Sequence, residues 1–155
     1  MYIRKCRRED LPEIARLFSD TVVNVNIKDY SEQQISTWSG RSQSLLSRED
    51  FLDALYTLVA VEDDAIVGYG NISRDGYIDH LYTHKDFQRR GIASAICDEL
   101  ERHAYNSGAE SFTAHVSVTA LPFFIRRGYH VVKELGAKID GISLTNFLCK
   151  KNPLQ

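Results

Sequence analysis

Apolar positions change their period along the chain, and the changes mark out the elements. Leu11, Ile14, Ala15, Leu17, Phe18 and Val22 recur at helical spacing. Asp10 and Glu13 stand at capping-box spacing before them, and Pro12 is tolerated in a first turn, so a helix is predicted from Asp10. A short strand, Tyr2–Arg7, precedes it. Ser31-Glu32-Gln33-Gln34 carries the same start signal for a second helix with Ile35 and Trp38. Gly40–Ser47 reads as polar loop. Ser47 and Asp50 can cap a third short turn with Phe51, Leu52 and Leu55 inside.

The period then shortens. Thr57–Glu62, Ala65–Ser73 and Tyr77–His84 read as strands joined at Asp63-Asp64 and Arg74-Asp75-Gly76, an antiparallel meander. The strongest helix follows, from about Gly91 to Asn106, with Ile92, Ala93, Ile96, Cys97, Leu100 and Ala104 on one face and Gly108 as its stop. Phe112–Val116 is a strand, and Thr119–Arg127 a short helix ended by Gly128. Val131–Ile139 and Ile142–Cys149 form a hairpin about Asp140-Gly141. This order predicts an α+β domain in three α/β/α layers: a mixed, mainly antiparallel sheet of about seven strands with helices on both faces. No repeat or linker interrupts it, so residues 1–155 are expected to form a single domain.

Composition narrows the function. Hydrophobic residues make up 43% of 155 and charged residues 26%, enough for one sizeable core. A formal net charge of -2 speaks against a nucleic-acid binder and a polybasic membrane binder. No apolar run approaches a membrane span, and Met1–Arg8 lacks the apolar core of a secretory signal. Cys6, Cys97 and Cys149 are odd in number and widely spaced, which predicts free thiols in a cytoplasmic protein. His80, His84 and Glu62 do not have metal-site spacing, so no metal is expected.

The chemistry concentrates where a strand ends and the long helix begins, Leu81-Tyr82-Thr83-His84-Lys85-Asp86-Phe87-Gln88-Arg89-Arg90-Gly91-Ile92-Ala93-Ser94. A helix N-terminus presents unpaired N–H groups and the positive dipole end, and can hold a phosphate or pyrophosphate. Gly91 and the small Ala93 allow close approach, and Arg89 and Arg90 add charge. The alternative is an exposed loop before an ordinary helix. Neither a Walker loop nor a dinucleotide fingerprint is present.

Gln88-Arg89-Arg90-Gly91-Ile92-Ala93 resembles the acetyl-CoA motif [QR]-x-x-G-x-[GA] of the GCN5-related N-acetyltransferase (GNAT) family. Ala120, Phe123, Gly128 and Tyr129 resemble that family's later block, and the element order is similar from Met1 to about Lys151. A narrower likeness, to the family's YafP-like bacterial branch, runs through Tyr30–Trp38 and Phe123–Tyr129.

The resemblance implies the GNAT fold and acetyl-CoA as co-substrate, lying between splayed fourth and fifth strands. Backbone groups of Leu81, Tyr82 and Thr83 would pair with the pantetheine arm and polarise the thioester. Amides of Gln88, Arg89, Arg90, Gly91, Ile92, Ala93 and Ser94 would cradle the pyrophosphate. A primary amine of a small-molecule acceptor would attack directly in a ternary complex. Acetylation of a protein N-terminus or lysine, or a non-catalytic CoA sensor, are the alternatives.

Strand alternation puts Tyr77, Asp79 and Leu81 on one face and His80 on the other. In the family the positions corresponding to Tyr77 and Asp79 commonly face the acceptor and carry the base, so the resemblance makes Asp79 the first candidate, directly, through water, or as an anchor for a cationic amine, with a strand charge paired to a Lys or Arg as the alternative; His115 is the second, with a core or rim histidine as the alternative. Tyr77, Tyr30 and Trp38 are candidate acceptor contacts, the last two with core packing as the alternative. Arg126 and Arg127 stand where they can face the nucleotide. The family's thiolate-protonating Tyr aligns with Phe124, and its Asn with Ser117, leaving Tyr82, Tyr129 or water as the proton source. Cys97 lies on the buried helix face and is no acyl carrier. A monomer or homodimer is expected.

Overall fold

The computed structural model describes residues 1–153. Seven strands form one sheet: β1 (Tyr2–Lys5), β2 (Tyr56–Glu62), β3 (Ala65–Ile72), β4 (Tyr77–Thr83), β5 (Phe112–Ser117), β6 (His130–Ile139) and β7 (Ile142–Lys151). Their order is β1-β2-β3-β4-β5-β7-β6, and every neighbouring pair is antiparallel except β4–β5. Four α-helices cover it: α1 (Leu11–Asn24), α2 (Glu32–Ser39), α3 (Ile92–Asn106) and α4 (Leu121–Arg126).

The sheet is buried on both sides, as a three-layer domain requires. Leu58, Ala60, Val67, Ile78 and Ala114 pack with Ile96 and Leu100 of α3, whereas Val59, Val61, Ile66 and Tyr69 pack with Ile14, Phe18 and Val22 of α1. This is why Leu58–Val61 is a continuous apolar run and not an alternation. Gly68 lets α3 lie close: a Cβ there would stand 2.7 Å from Ile92 Cγ2.

Local signals succeeded where they needed only neighbours. Ser31 caps α2 as expected, with Gln34 N donating to Ser31 Oγ at 3.1 Å and Ser31 N to Gln34 Oε1 at 2.8 Å. Asp63-Asp64 and Asp140-Gly141 take positive φ at both turn positions, the geometry of a two-residue hairpin. Asp10 does not cap α1 with Glu13. A 3-10 turn at Arg8–Asp10 points it inward, where its carboxylate accepts from Arg4 at 2.7 and 2.9 Å and from Arg7 N at 2.8 Å. Glu13 instead accepts from Ile66 N at 2.7 Å. The loop expected at Gly40–Ser47 is a 3-10 segment, pinned by Leu45 at 3% exposure.

Two irregularities of β4 shape the cleft. It pairs with β5 only at Tyr77↔Thr113 and Ile78↔Ala114; beyond that step the strands part. Against β3, Ile72 faces Ile78 and Asn71 faces His80, so Asp79 is an extra residue in a β-bulge. Asn71 Oδ1 steadies the bulge by accepting His80 N at 2.8 Å. The bulge overturns the simple alternation. Leu81 joins Ile78 on the α3 side, while His80 packs with Phe18, Phe51, Tyr69 and Tyr82 on the α1 side.

Burial there holds the His80 imidazole neutral, lowering its pKa to about 4 against an opposing pull from Asp79. In the unfolded chain the same group protonates near pH 6.5, so as pH falls the unfolded state takes up the proton first and stability declines. The expected loss between about pH 6.5 and 4 is about 2–3 kcal/mol. Chemical denaturation across that interval should show this slope for the wild type and a much flatter one for His80→Phe; parallel curves would refute the assignment.

Candidate active site

The parting of β4 and β5 opens a cleft of about 1030 Å³. Its floor is the edge of β4. His84 N donates to Val67 O at 2.9 Å, which directs that peptide group toward β3. Alternation along an antiparallel pair therefore turns the Tyr82 groups toward β3 and those of Leu81 and Thr83 toward the gap. Thr83 O is held by Thr21 Oγ1 at 2.9 Å and Gln88 Nε2 at 2.8 Å. The Leu81 groups and Thr83 N–H face the cleft. Of the three residues expected to supply backbone contacts, Tyr82 thus offers its ring side and not its peptide.

At the open end, the loop from Phe87 winds into α3. Arg89 and Gly91 both sit in the left-handed region, at φ 60° and 79°. Gly91 precedes α3 without a capping side chain, so the amides of Ile92, Ala93 and Ser94 have no acceptor within the helix. All residues from Phe87 to Ser94 line the cleft. A Cβ on Gly91 would meet no atom within 4 Å, so the space beside these amides is open. Gln88 braces the loop through its side chain and does not point into the cradle. Arg90 lies over the Phe87 ring at 4.9 Å and 3.7 Å from Glu62. Arg126 and Arg127 both line the cleft, but Arg127 is engaged by Glu101 at 2.8 Å and Asp98 at 2.7 Å. Unpaired backbone donors beside cationic side chains are the kind of groups that can hold a phosphate.

At the closed end, the residues following the last β4–β5 pair are Asp79 and His115, which both line the cleft. Asp79 Oδ2 accepts from Arg48 Nη2 at 2.9 Å. His115 is exposed and stands edge-on to Tyr77, with ring centroids 5.4 Å apart. Tyr77, expected as an acceptor contact, is not among the residues lining the cleft. Tyr30 and Trp38 are edge-to-face at 5.3 Å, and both line the cleft. The Tyr30 hydroxyl donates to Thr145 O at 2.7 Å and accepts from Val118 N at 2.9 Å, tying the segment before α2 to β7 and to the loop after β5. These two aromatics therefore both pack and enclose. Tyr82 packs on Phe18 at 5.0 Å, and burial raises its phenol pKa, with Trp38 acting against that rise.

On the α3 side, buried Phe124 forms part of the wall, edge-on to Phe123 and Tyr129. Tyr129 is not a proton source for the cleft: its hydroxyl donates to Glu101 at 2.8 Å behind Phe124. Ser117 Oγ accepts Ala120 N at 3.1 Å and so shapes the turn into α4. Burial pushes the Cys97 thiol up to about 12, and Cys97 does not line the cleft.

Sequence reasoning missed Arg48, which no motif marks. Its spacing from Asp50 was visible; its reach to Asp79, 31 positions away, was not.

A family model described as an acetyltransferase (GNAT) domain matches residues 26–151. The chain is 32% identical over 152 residues to a protein of Escherichia coli (strain K12) named uncharacterized N-acetyltransferase YafP, covering 97% of this chain and 95% of that one. The crystal structure of a GCN5-related N-acetyltransferase from Rhodopseudomonas palustris superposes with a TM-score of 0.92 at 28% identity, over 97% of this chain and 94% of that one. The PaiA N-acetyltransferase of Thermoplasma acidophilum, crystallised with coenzyme A, shares the fold at 20% identity and a TM-score of 0.77, over 97% and 98% of the two chains. The split strands, the uncapped helix start and these likenesses agree: the chain belongs to the GCN5-related N-acetyltransferase family, and it is an acetyltransferase whose co-substrate is acetyl-CoA.

Proposed function

We propose that the protein transfers the acetyl group of acetyl-CoA to a primary amine of a small molecule by direct attack within a ternary complex. The observation that carries this is the position of Asp79 and His115 immediately beyond the last β4–β5 pair, at the opposite end of the split from the Gly91 loop. With the pyrophosphate at Gln88–Ser94 and the pantetheine arm along Leu81–Thr83, the thioester falls beside them.

The amine nitrogen attacks the thioester carbon, the N–C bond forms, and the C–S bond breaks with its electron pair on sulfur. The Leu81 and Thr83 N–H groups are the donors available to the carbonyl oxygen. Asp79 holds the incoming amine as an ammonium ion, His115 takes the proton whose loss frees the lone pair for attack, directly or through water, and water takes the second proton as the amide forms. The raised phenol of Tyr82 is a weak acid. Water therefore protonates the thiolate, and Phe124 seals the wall instead of donating. Tyr30 and Trp38 enclose the acceptor body, an apolar wall with few polar groups that suits a small molecule. We take residues 1–155 as one domain acting in the cytoplasm as a monomer or homodimer; one continuous sheet and three free cysteines support this.

Gly91→Glu should abolish acetyl-CoA binding, because it places a carboxylate in the cradle and strains a left-handed position by about 1–2 kcal/mol. Calorimetry on the folded variant tests this, and unchanged affinity would move the phosphate site elsewhere. Asp79→Asn should lower kcat/KM for the amine by roughly 10²–10³-fold, mainly through KM, while His115→Gln lowers kcat by roughly 10²-fold and flattens the acid limb of its pH profile. Steady-state rates with an amine panel separate the two; the opposite split would exchange their roles. Phe124→Tyr should leave kcat within about threefold and cost roughly 1–3 kcal/mol of stability if the new hydroxyl is left unpaired. A large rise in the rate of CoA release would show instead that protonation of the thiolate limits turnover.

A further inference from the structure

The carboxylate at the closed end of the cleft is gripped from outside the cleft. Arg48 lies between the 3-10 segments Gly40–Ser47 and Glu49–Phe51 and is not itself a lining residue. Its guanidinium sits over the Phe51 ring at 4.7 Å and binds both oxygens of Asp50 at 2.8 Å, which fixes its plane. From that plane Nη2 reaches Asp79 Oδ2 at 2.9 Å.

A second group approaches the same oxygen. His80 Nε2 is 4.0 Å from Asp79 Oδ2, and His80 Nδ1 is 2.9 Å from the hydroxyl of fully buried Tyr69. Among the described residues the phenol has no other partner, which assigns it as the donor to Nδ1 and puts the proton of the neutral ring on Nε2, the nitrogen nearer Asp79. Both neighbours approach Oδ2, and Oδ1 has no hydrogen-bond partner among the described residues. Oδ1 is the oxygen left for the cleft.

The titratable and charged groups around Asp79 are Arg48 with Asp50 behind it, His80, Tyr77 and Tyr82 of β4, Tyr69 of β3 and His115 of β5. Asp79 is the sole acidic side chain lining the cleft among the described residues. A proton taken by Asp79 would undo its ion pair with Arg48.

We infer that Arg48 is a positioning residue for the acceptor: it holds Oδ2 of Asp79 so that Oδ1 is presented to the acceptor nitrogen, which binds as an ammonium ion. This rests on the small-amine reading above. It makes Asp79 an anchor, and it makes acceptor recognition depend on the Gly40–Phe51 segment, which contributes no residue to the cleft.

The test compares butylamine, charged at neutral pH, with O-methylhydroxylamine, uncharged there. In Arg48→Met the KM for butylamine should rise by about tenfold or more, with its kcat and the acetyl-CoA Kd within about twofold and O-methylhydroxylamine little affected. Arg48→Lys should recover most of the loss. Asp50→Asn, which removes only the brace, should give a smaller rise in the same KM, and serves if Arg48→Met fails to fold. Equal losses for both amines, in kcat and with a displaced acid limb, would overturn the inference and make Asp79 a base. Binding can be read without turnover, because Trp38 is the chain's one tryptophan and lines the cleft. Butylamine titrated into the CoA complex should change its fluorescence saturably, with about tenfold weaker binding in Arg48→Met. A wild type that acetylates O-methylhydroxylamine but neither binds nor acetylates butylamine would uphold the small-amine reading and sink the role of Arg48. A wild type that does neither with either amine would remove both.

Discussion

The structure depends on a backbone conflict in the middle of the sheet. After Ile78↔Ala114, β4 and β5 stop pairing, and each leaves a row of peptide groups without a strand partner. In a protein interior such groups must find donors and acceptors. Here part of the need is met internally, by Thr21 and Gln88 at Thr83 O. The remainder faces the cleft as an unfilled strand position, which an extended arm bearing amide groups can occupy.

The rest of the fold keeps the split open. β5 is paired along its whole length with β7 on its other side, Phe112↔Lys151 through Ser117↔Asn146, so it cannot swing toward β4. β4 is held to β3 through a bulge whose backbone is satisfied by the buried Asn71 side chain. The wall beyond β5 is secured by Glu101, a buried carboxylate that receives Arg127 at 2.8 Å, Tyr129 at 2.8 Å and Lys151 at 3.0 Å. A buried charge is tolerable only with such a complete set of donors. Together they fix α4, the Gly128 turn and Phe124 against the cleft.

Charge is distributed unevenly along the cleft. Arg89, Arg90 and Arg126 line it with the uncapped helix start, whereas Asp79, the one acidic lining side chain among the described residues, stands at the closed end. Two further arginines beside the cleft are tied to carboxylates, Arg127 to Glu101 and Asp98, and Arg48 to Asp50 and Asp79. The cleft is therefore polarised by where its charges stand, in a chain whose net charge is only -2.

The sequence by itself determined the element order, the seven strands, the hairpin turns, the α2 cap and the start of α3 at a left-handed glycine. Each rests on contacts within a few residues, such as Ser31 with Gln34 or the left-handed Gly91 before Ile92. The place of Asp79 beside the cleft was expected from the resemblance to the family, and not from the alternation of β4. Tertiary structure alone decided what surrounds it. The bulge depends on Asn71 from the neighbouring strand; it moved His80 to the α1 side with Tyr82 and sent Leu81 to the α3 side, since one inserted residue reverses every later side chain. Tyr77 stands edge-on to His115 and outside the cleft lining, and Asp10 left its cap because Arg4 lies within reach. Arg48 meets Asp79 only because Phe51 buries itself against Tyr69 and His80 and carries the preceding residues to the sheet. Such contacts follow from how layers pack, and no local spacing encodes them.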